Sequence, residues 1–365
     1  MSRYPIAAYR QLFPDRREFA PFDPAEDGDH YRPEPNFFEW WYFDAAFEDG
    51  SYLVTTLHSS LYNTIDHKPT LDLRYYPPEG PPVIANGRFD RTAYRAAPDR
   101  CWVKIGDCLA TDEGDRYRLS LRQGSLAAEL TFWPQLPGWK AGTGHLFADP
   151  ASGHHFDWAV PLPRARVEGM LTVAGQRRAV VGSGYHDHNW GNLYLPAAFS
   201  HWTWGRVLAG DWVLIFGDIV GRGTSPAHVT PFMLARDDEI LLATGRIHIH
   251  GEEPAQEPRT GAGYFRRLRL TTVEGPTVEL TLTACRTMEA LDFAVPHLPL
   301  ARQRHLRRAA EIIFYLAQGK PLVGRLAAWL LGKGSYLRWE ADYRLDLPDY
   351  GAVETGRALY EVMLL

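Results

Sequence analysis

The chain has 365 residues, 45% of them hydrophobic and 13% aromatic with 12 Trp, and a formal net charge of -5. That length exceeds one ordinary hydrophobic core and suggests two domains, while the charge offers no global attraction for nucleic acid. Three cysteines, Cys101, Cys108 and Cys285, are too few and too odd in number for a disulfide framework, which excludes a small oxidised scaffold and favours a reducing compartment.

Residues 1 to about 35 are rich in Pro and Asp and are expected to wrap as an irregular arm. Arg3, Arg10, Arg16 and Arg17 lie there without an apolar stretch behind them, so no secretory signal is expected. From 36 to 160 the chain breaks into short strand-like runs at 52–57, 71–75, 102–105 and 126–132, with turn signals at Pro77-Pro78-Glu79-Gly80 and Asp112-Glu113-Gly114. The period-two character of the 126–132 run is weak. Further strands are expected at 212–220, 245–251, 268–273 and 278–283, the last two flanking the hairpin signal Glu274-Gly275-Pro276. Many short strands with frequent turns predict an all-β sandwich or barrel. The boundary between the two domains, 1–195 and 196–365, is placed near residue 195.

Residues 299–333 depart from this pattern. Apolar runs at 312–316 and 326–331, separated by Gly319 and Pro321 and closed by Gly332, predict two short helices. Arg302, Arg304, Arg307, Arg308, Lys320, Arg325 and Lys333 face only Glu311 in acidic charge. A basic amphipathic pair can rest on an anionic membrane surface or serve as a lid or subunit contact. No apolar run approaches the ~20 residues a membrane span requires, so a cytoplasmic protein is expected, with peripheral membrane contact through this insertion standing as an alternative to a lid or interface.

Three segments concentrate chemistry. In Phe37-Phe38-Glu39-Trp40-Trp41-Tyr42-Phe43-Asp44, strand alternation puts Glu39, Trp41 and Phe43 on one face and Phe38, Trp40, Tyr42 and Asp44 on the other. In Gly182-Ser183-Gly184-Tyr185-His186-Asp187-His188-Asn189-Trp190-Gly191, it groups Tyr185, Asp187 and Asn189 against His186, His188 and Trp190. His201-Trp202-Thr203-Trp204-Gly205-Arg206 follows soon after.

Together these segments resemble the carotenoid 1,2-hydratases (hydroxyneurosporene synthases) and the related AttH-like proteins, a family that includes fungal hydratases and pericyclases of the Diels-Alderase type. Glu-Trp-Trp-Tyr near the N-terminus, Gly-Tyr-His-Asp-His-Asn-Trp-Gly near the middle, Trp-x-Trp-Gly-Arg after it and Thr355 to Glu361 at the C-terminus carry the likeness. The resemblance implies two lipocalin-like β-barrel or sandwich domains. It also implies cofactor-independent catalysis on an isoprenoid or polyene C=C, by hydration, cyclisation or a pericyclic reaction.

Protonating an unactivated alkene needs a neutral carboxylic acid in a water-poor site. Asp187 is the candidate acid, and Tyr185 stands beside it among the catalytic candidates. Glu39, His186 or His188 could orient water or take the final proton. A tertiary carbocation would be stabilised by ring faces, for which Trp40, Trp41, Tyr42, Tyr185, Trp190, Trp202 and Trp204 form the pool, with Arg206 nearby. The tryptophans can equally be core, Glu39 can bond backbone or Arg206, and both histidines can simply orient Asp187. His186 and His188 could also bind a metal with a third ligand from His58, His145, His154, His155 or His201; the spacing matches no recognised zinc signature and the resemblance implies no metal. Gly182-Ser183-Gly184 is not a nucleophile elbow, and neither a P-loop nor a dinucleotide fingerprint is present. A lipocalin-like carrier of an apolar ligand is the non-catalytic alternative.

Overall fold

In the computed structural model, the described residues are 22–62, 64, 66–222, 228–295 and 329–365, with isolated positions between 305 and 327. They form two compact units. The first runs to Leu193 and takes in residues 235–240; the second holds Tyr194–Leu234 and Leu241–Leu365.

The first unit is a curled antiparallel sheet of β1 (Phe38–Phe47), β2 (Tyr52–Ser60), β3 (Thr70–Tyr76), β4 (Val83–Arg88), β5 (Tyr94–Ala96), β6 (Trp102–Ile105), β7 (Cys108–Asp112), β8 (Tyr117–Gln123), β9 (Leu126–Pro134), β10 (Trp139–Asp149), β11 (His154–Val173) and β12 (Gln176–Gly191). Strand order is β4-β3-β2-β1-β12-β11-β9-β8-β7-β6-β5, with β10 pairing β11. The second sheet, which belongs to the second unit apart from residues 235–240, comprises β13 (Phe199–Ala209), β14 (Trp212–Gly221), β15 (His228–Val229), β16 (Phe232–Arg236), β17 (Glu239–Thr244), β18 (Ile247–Gln256), β19 (Gly263–Thr272), β20 (Glu279–Ala294), β21 (Lys333–Leu347) and β22 (Ala352–Leu364). Its order is β17-β16-β14-β13-β22-β21-β20-β19-β18, with β15 on β14. The all-β, lipocalin-like expectation holds in both.

Each unit encloses its own core. In the first, alternation sends Leu119, Leu121, Leu130, Phe132, Val167, Leu171, Trp41 and Phe43 inward. β9 alternates cleanly, burying Leu126, Ala128, Leu130 and Phe132. Its sequence hides this because Ala127 points outward and Ala128 inward, so hydropathy cannot tell the faces apart. β14 is buried along its whole length, which explains its uninterrupted apolar run.

Two features fix the site's frame. The β11–β12 hairpin turns through Ala174 (φ 48) and Gly175 (φ 83), the two left-handed residues of a tight hairpin. The N-terminal arm, after a 3-10 turn at Pro24–Asp27 capped reciprocally by Asp23 and Glu26, runs against the loop at 97–99. Asp29 N–H donates to the Ala97 carbonyl at 2.8 Å, and a Cβ on Gly28 would lie 2.3 Å from the Pro98 carbonyl oxygen, so only glycine permits this approach.

The predicted helical insertion at 299–333 lies largely outside the described residues; His305, Leu306, Ala309, Ile313, Leu326, Ala327 and Trp329 to Leu331 are helical. Among the described residues no helix is long and apolar enough to cross a membrane.

Candidate active site

The two central motifs are neighbours in one sheet. β1 and β12 pair antiparallel with Glu39 opposite Trp190, Trp40 opposite Asn189, Trp41 opposite His188, Tyr42 opposite Asp187, Phe43 opposite His186 and Asp44 opposite Tyr185. Directly paired residues share a face, so the register decides which halves of each motif meet. Glu39, Trp41 and Phe43 join His186, His188 and Trp190 on the inner, core-side face. Phe38, Trp40, Tyr42 and Asp44 join Tyr185, Asp187 and Asn189 on the opposite face.

On the latter face, Asp187 is 6% exposed. The Tyr185 hydroxyl donates to its Oδ2 at 2.8 Å and the Asn189 amide to its Oδ1 at 2.9 Å. Burial holds the Tyr185 phenol well above its usual range, so Tyr185 keeps its proton and donates it to Asp187 throughout the ordinary pH range. Tyr42 hydrogen-bonds Asp44 at 3.1 Å and packs edge-on to Tyr185 with ring centres 6.1 Å apart. Trp40, half-buried, stacks on Phe38 at 5.4 Å and meets Tyr62 at 5.7 Å and Phe156 at 6.2 Å. An acid held by two donors thus shares its face with a row of rings.

The inner face is different. His186 stacks on Phe43 at 3.8 Å, donates from Nδ1 to the Tyr42 carbonyl at 2.8 Å, and sets Nε2 3.1 and 3.2 Å from the Asp27 carboxylate. Tyr117 donates to the same carboxylate at 2.9 Å. His188 stacks on Trp41 at 4.3 Å and donates from Nδ1 to the Glu26 carbonyl at 3.2 Å. Glu39, fully buried, accepts the His30 backbone N–H at 2.6 Å and the Ser59 hydroxyl. His30 stacks on Trp190 with centres 3.9 Å apart. Beside this pair opens a cavity of about 430 Å³ lined by His30, Arg32, Phe37, His155, Trp190 and Asn192, among others. Two groups here bring metal-capable atoms within 4.8 Å of one another: Asp27, Cys101 and His186, and His30, Glu39 and His188.

The sheet therefore stands between Asp187 and the three groups expected to assist it. Glu39, His186 and His188 point to the other side, so none of them contacts the atom that Asp187 would protonate; Trp41 and Trp190 are likewise on the inner face. Of the first-unit aromatic pool, Trp40, Tyr42 and Tyr185 share Asp187's face. Trp202, Trp204 and the buried Arg206 lie in the second unit on β13, alternating with the core residue Val207. Glu39 has His30, Ser59 and His188 as neighbours instead of Arg206.

The third ligands expected for a His186/His188 metal site are engaged elsewhere. His145 and His155 both bond the buried Asp157 carboxylate, His58 lies 3.5 Å from Asp72, His154 bonds the Asn192 carbonyl, and His201 contacts Ser200 in the second unit. Sequence reasoning missed Asp27 and His30, which the arm carries under the sheet. The one local signal was the Asp23-Pro24-Ala25-Glu26 capping pattern, which marks a turn there but not its destination.

Residues 81–297, more than half of the chain, match the family model described as AttH-like. A hydroxyneurosporene dehydrogenase of Chlorobaculum tepidum is 26% identical over 296 residues, covering 69% of this chain and 74% of that protein. Among solved structures, CghA with Sch210972 superposes with a TM-score of 0.65 at 13% identity, covering 97% of this chain and 95% of that one. Kievitone hydratase from Nectria haematococca gives 0.58 at 13% identity, covering 96% and 98%.

Proposed function

Because the chain belongs to the AttH-like family, we propose that it is an acid catalyst acting on a carbon–carbon double bond of an apolar isoprenoid or polyene, with Asp187 as the proton donor. The observation that carries this reading is the Tyr185–Asp187–Asn189 row: a carboxyl 6% exposed, gripped on both oxygens and facing the same side as Trp40 and Tyr42.

The step balances without a cofactor. Asp187 Oδ–H transfers its proton to the less substituted alkene carbon, leaving a tertiary carbocation and the Asp187 carboxylate. Ring faces near the cation each contribute about 0.5–2 kcal/mol. Water adds to the cation, and its surplus proton returns to Asp187, giving a tertiary alcohol and the starting enzyme. Tyr185 and Asn189 hold the carboxyl in one orientation through both half-steps, which is positioning in the sense that fixes reacting atoms before the barrier is climbed. The name of the kievitone hydratase structure supports hydration as the first outcome to test.

The test is incubation with acyclic carotenoids and shorter prenyl substrates in deuterated water, with products analysed by mass spectrometry. Carbon-bound deuterium plus the mass of water is expected. Deuterium without added water would make the protein a cyclase or isomerase. A rearranged product without carbon-bound deuterium would replace protonation by a pericyclic reaction, and tight binding with no product would make it a carrier.

A further inference from the structure

We propose that His30, Glu39 and His188 form a binding site for a divalent transition-metal ion, zinc being the first candidate, on the inner face of the β1–β12 pair. This site is separate from the Asp187 face and does not depend on the reaction proposed there.

Three observations carry it. First, the spacing fits: His188 Nε2 and His30 Nδ1 lie 3.3 and 3.5 Å from Glu39 Oε1, and tetrahedral zinc with bonds of about 2.0–2.1 Å sets its donor atoms about 3.3 Å apart. Second, the two imidazole nitrogens that face Glu39 are unspent. His188 is completely buried, and its Nε2 makes no hydrogen bond; nor does His30 Nδ1. His188 Nδ1 faces only acceptors, the Glu26 carbonyl at 3.2 Å and Asp27 Oδ1 at 3.4 Å, so Nδ1 carries the proton and Nε2 presents its lone pair to Glu39. A lone pair and a carboxylate oxygen 3.3 Å apart repel unless a cation lies between them. Third, Glu39 is fully buried and none of its described ion-pair partners is a Lys or Arg. Buried carboxylates are paired or coordinate metals.

The outer elements of a metal site are also present. The Ser59 hydroxyl and the His30 backbone N–H hold Glu39, and the Glu26 carbonyl fixes the tautomer of His188, as supporting hydrogen bonds do around metal ligands. Three protein donors leave a fourth position for water, and the cavity lined by His30 and Trp190 gives it room and an entry path. Two histidines and a carboxylate with an open position is a donor set typical of reactive metal sites.

The test uses the full chain, stripped with a chelator and dialysed, then titrated with Zn²⁺. About one equivalent should bind, measured by elemental analysis after gel filtration, with a rise in Tm. Glu39→Gln and His188→Ala should each abolish stoichiometric binding. His30→Ala, at the more exposed ligand, should weaken it by at least about tenfold. His155→Ala, which lines the same cavity but is no ligand, should leave it intact. Should the two buried variants fail to fold, Co²⁺ provides the second readout: its visible absorption bands in the wild type should shift in His30→Ala and not in His155→Ala. Failure of the stripped protein to retain Zn²⁺ or Co²⁺, or binding that follows His155 and not His30, would overturn the proposal and make the cluster a proton-sharing pair.

Discussion

The two faces of β12 lie back to back, separated by a single sheet, yet solve different problems. Tyr185, Asp187 and Asn189 bond one another along the strand, i to i+2. His186 and His188 find theirs far away in sequence, in Asp27, Glu26 and Glu39, and their rings are clamped by Phe43 and Trp41, members of the core. On the first face the bonds that hold the acid include neighbours two residues away on its own strand; on the second the bonds reach the N-terminal arm, and the clamping rings belong to the core, which couples changes there to stability.

Asp187→Asn is the sharpest way to break this contrast. It should lower kcat by about 100- to 10 000-fold, the usual contribution of a general acid, with a denaturation midpoint close to wild type, as checked by product formation alongside a urea titration. Trp41→Ala on the opposite face should do the reverse, costing about 3–5 kcal/mol of stability by opening a cavity under His188, measured by the same titration. Tyr185→Phe tests positioning: losing one hydroxyl from Asp187 should reduce kcat about tenfold, or ~1.4 kcal/mol, with KM nearly unchanged, and an unchanged kcat would release Tyr185 from its role. The smallest effect concerns the mouth of the inner face. The hydrogen bond to Asp157 raises the His145 imidazole above 6.5, while Asp157, which burial alone would push up, is held below 3.8 by His145 and His155. A raised histidine contributes stability that is present below 6.5 and lost as pH climbs through its folded value. A depressed aspartate contributes stability present above 3.8 and lost as pH falls. The stability difference between wild type and Asp157→Asn should thus be greatest between those limits and shrink on both sides, which urea midpoints across pH 3–9 would reveal.

Much of this was legible in the sequence. The strand runs at 102–105 and 212–220, the turns at 77–80 and 274–276, and the internal alternation of both central motifs follow from period-two patterning and turn chemistry. What alternation cannot supply is the phase between two strands distant in sequence: that Tyr42 meets Asp187, and Trp41 meets His188, is a matter of register, fixed only when the strands pair. For this reason alternation within each motif leaves Glu39 available to Asp187, although the sheet divides them. Asp27 and His30 escaped notice because their surroundings are made by an arm whose path depends on Gly28 and the loop at 97–99. Neither residue has a neighbour in sequence that reports its burial.

The hairpin turn at Ala174 and Gly175 is too far from either face to touch a ligand, and Ala174 bears the strain of a left-handed backbone that glycine would adopt more readily. From that turn β12 keeps an unbroken register against β11 as far as Gly184. A single residue inserted there, if the strand slid to absorb it, would carry Asp187 into the interior and turn the two histidines outward, exchanging both chemistries in one mutational step. Loss or gain of activity among relatives of this chain could in this way arise at a turn with no functional group of its own.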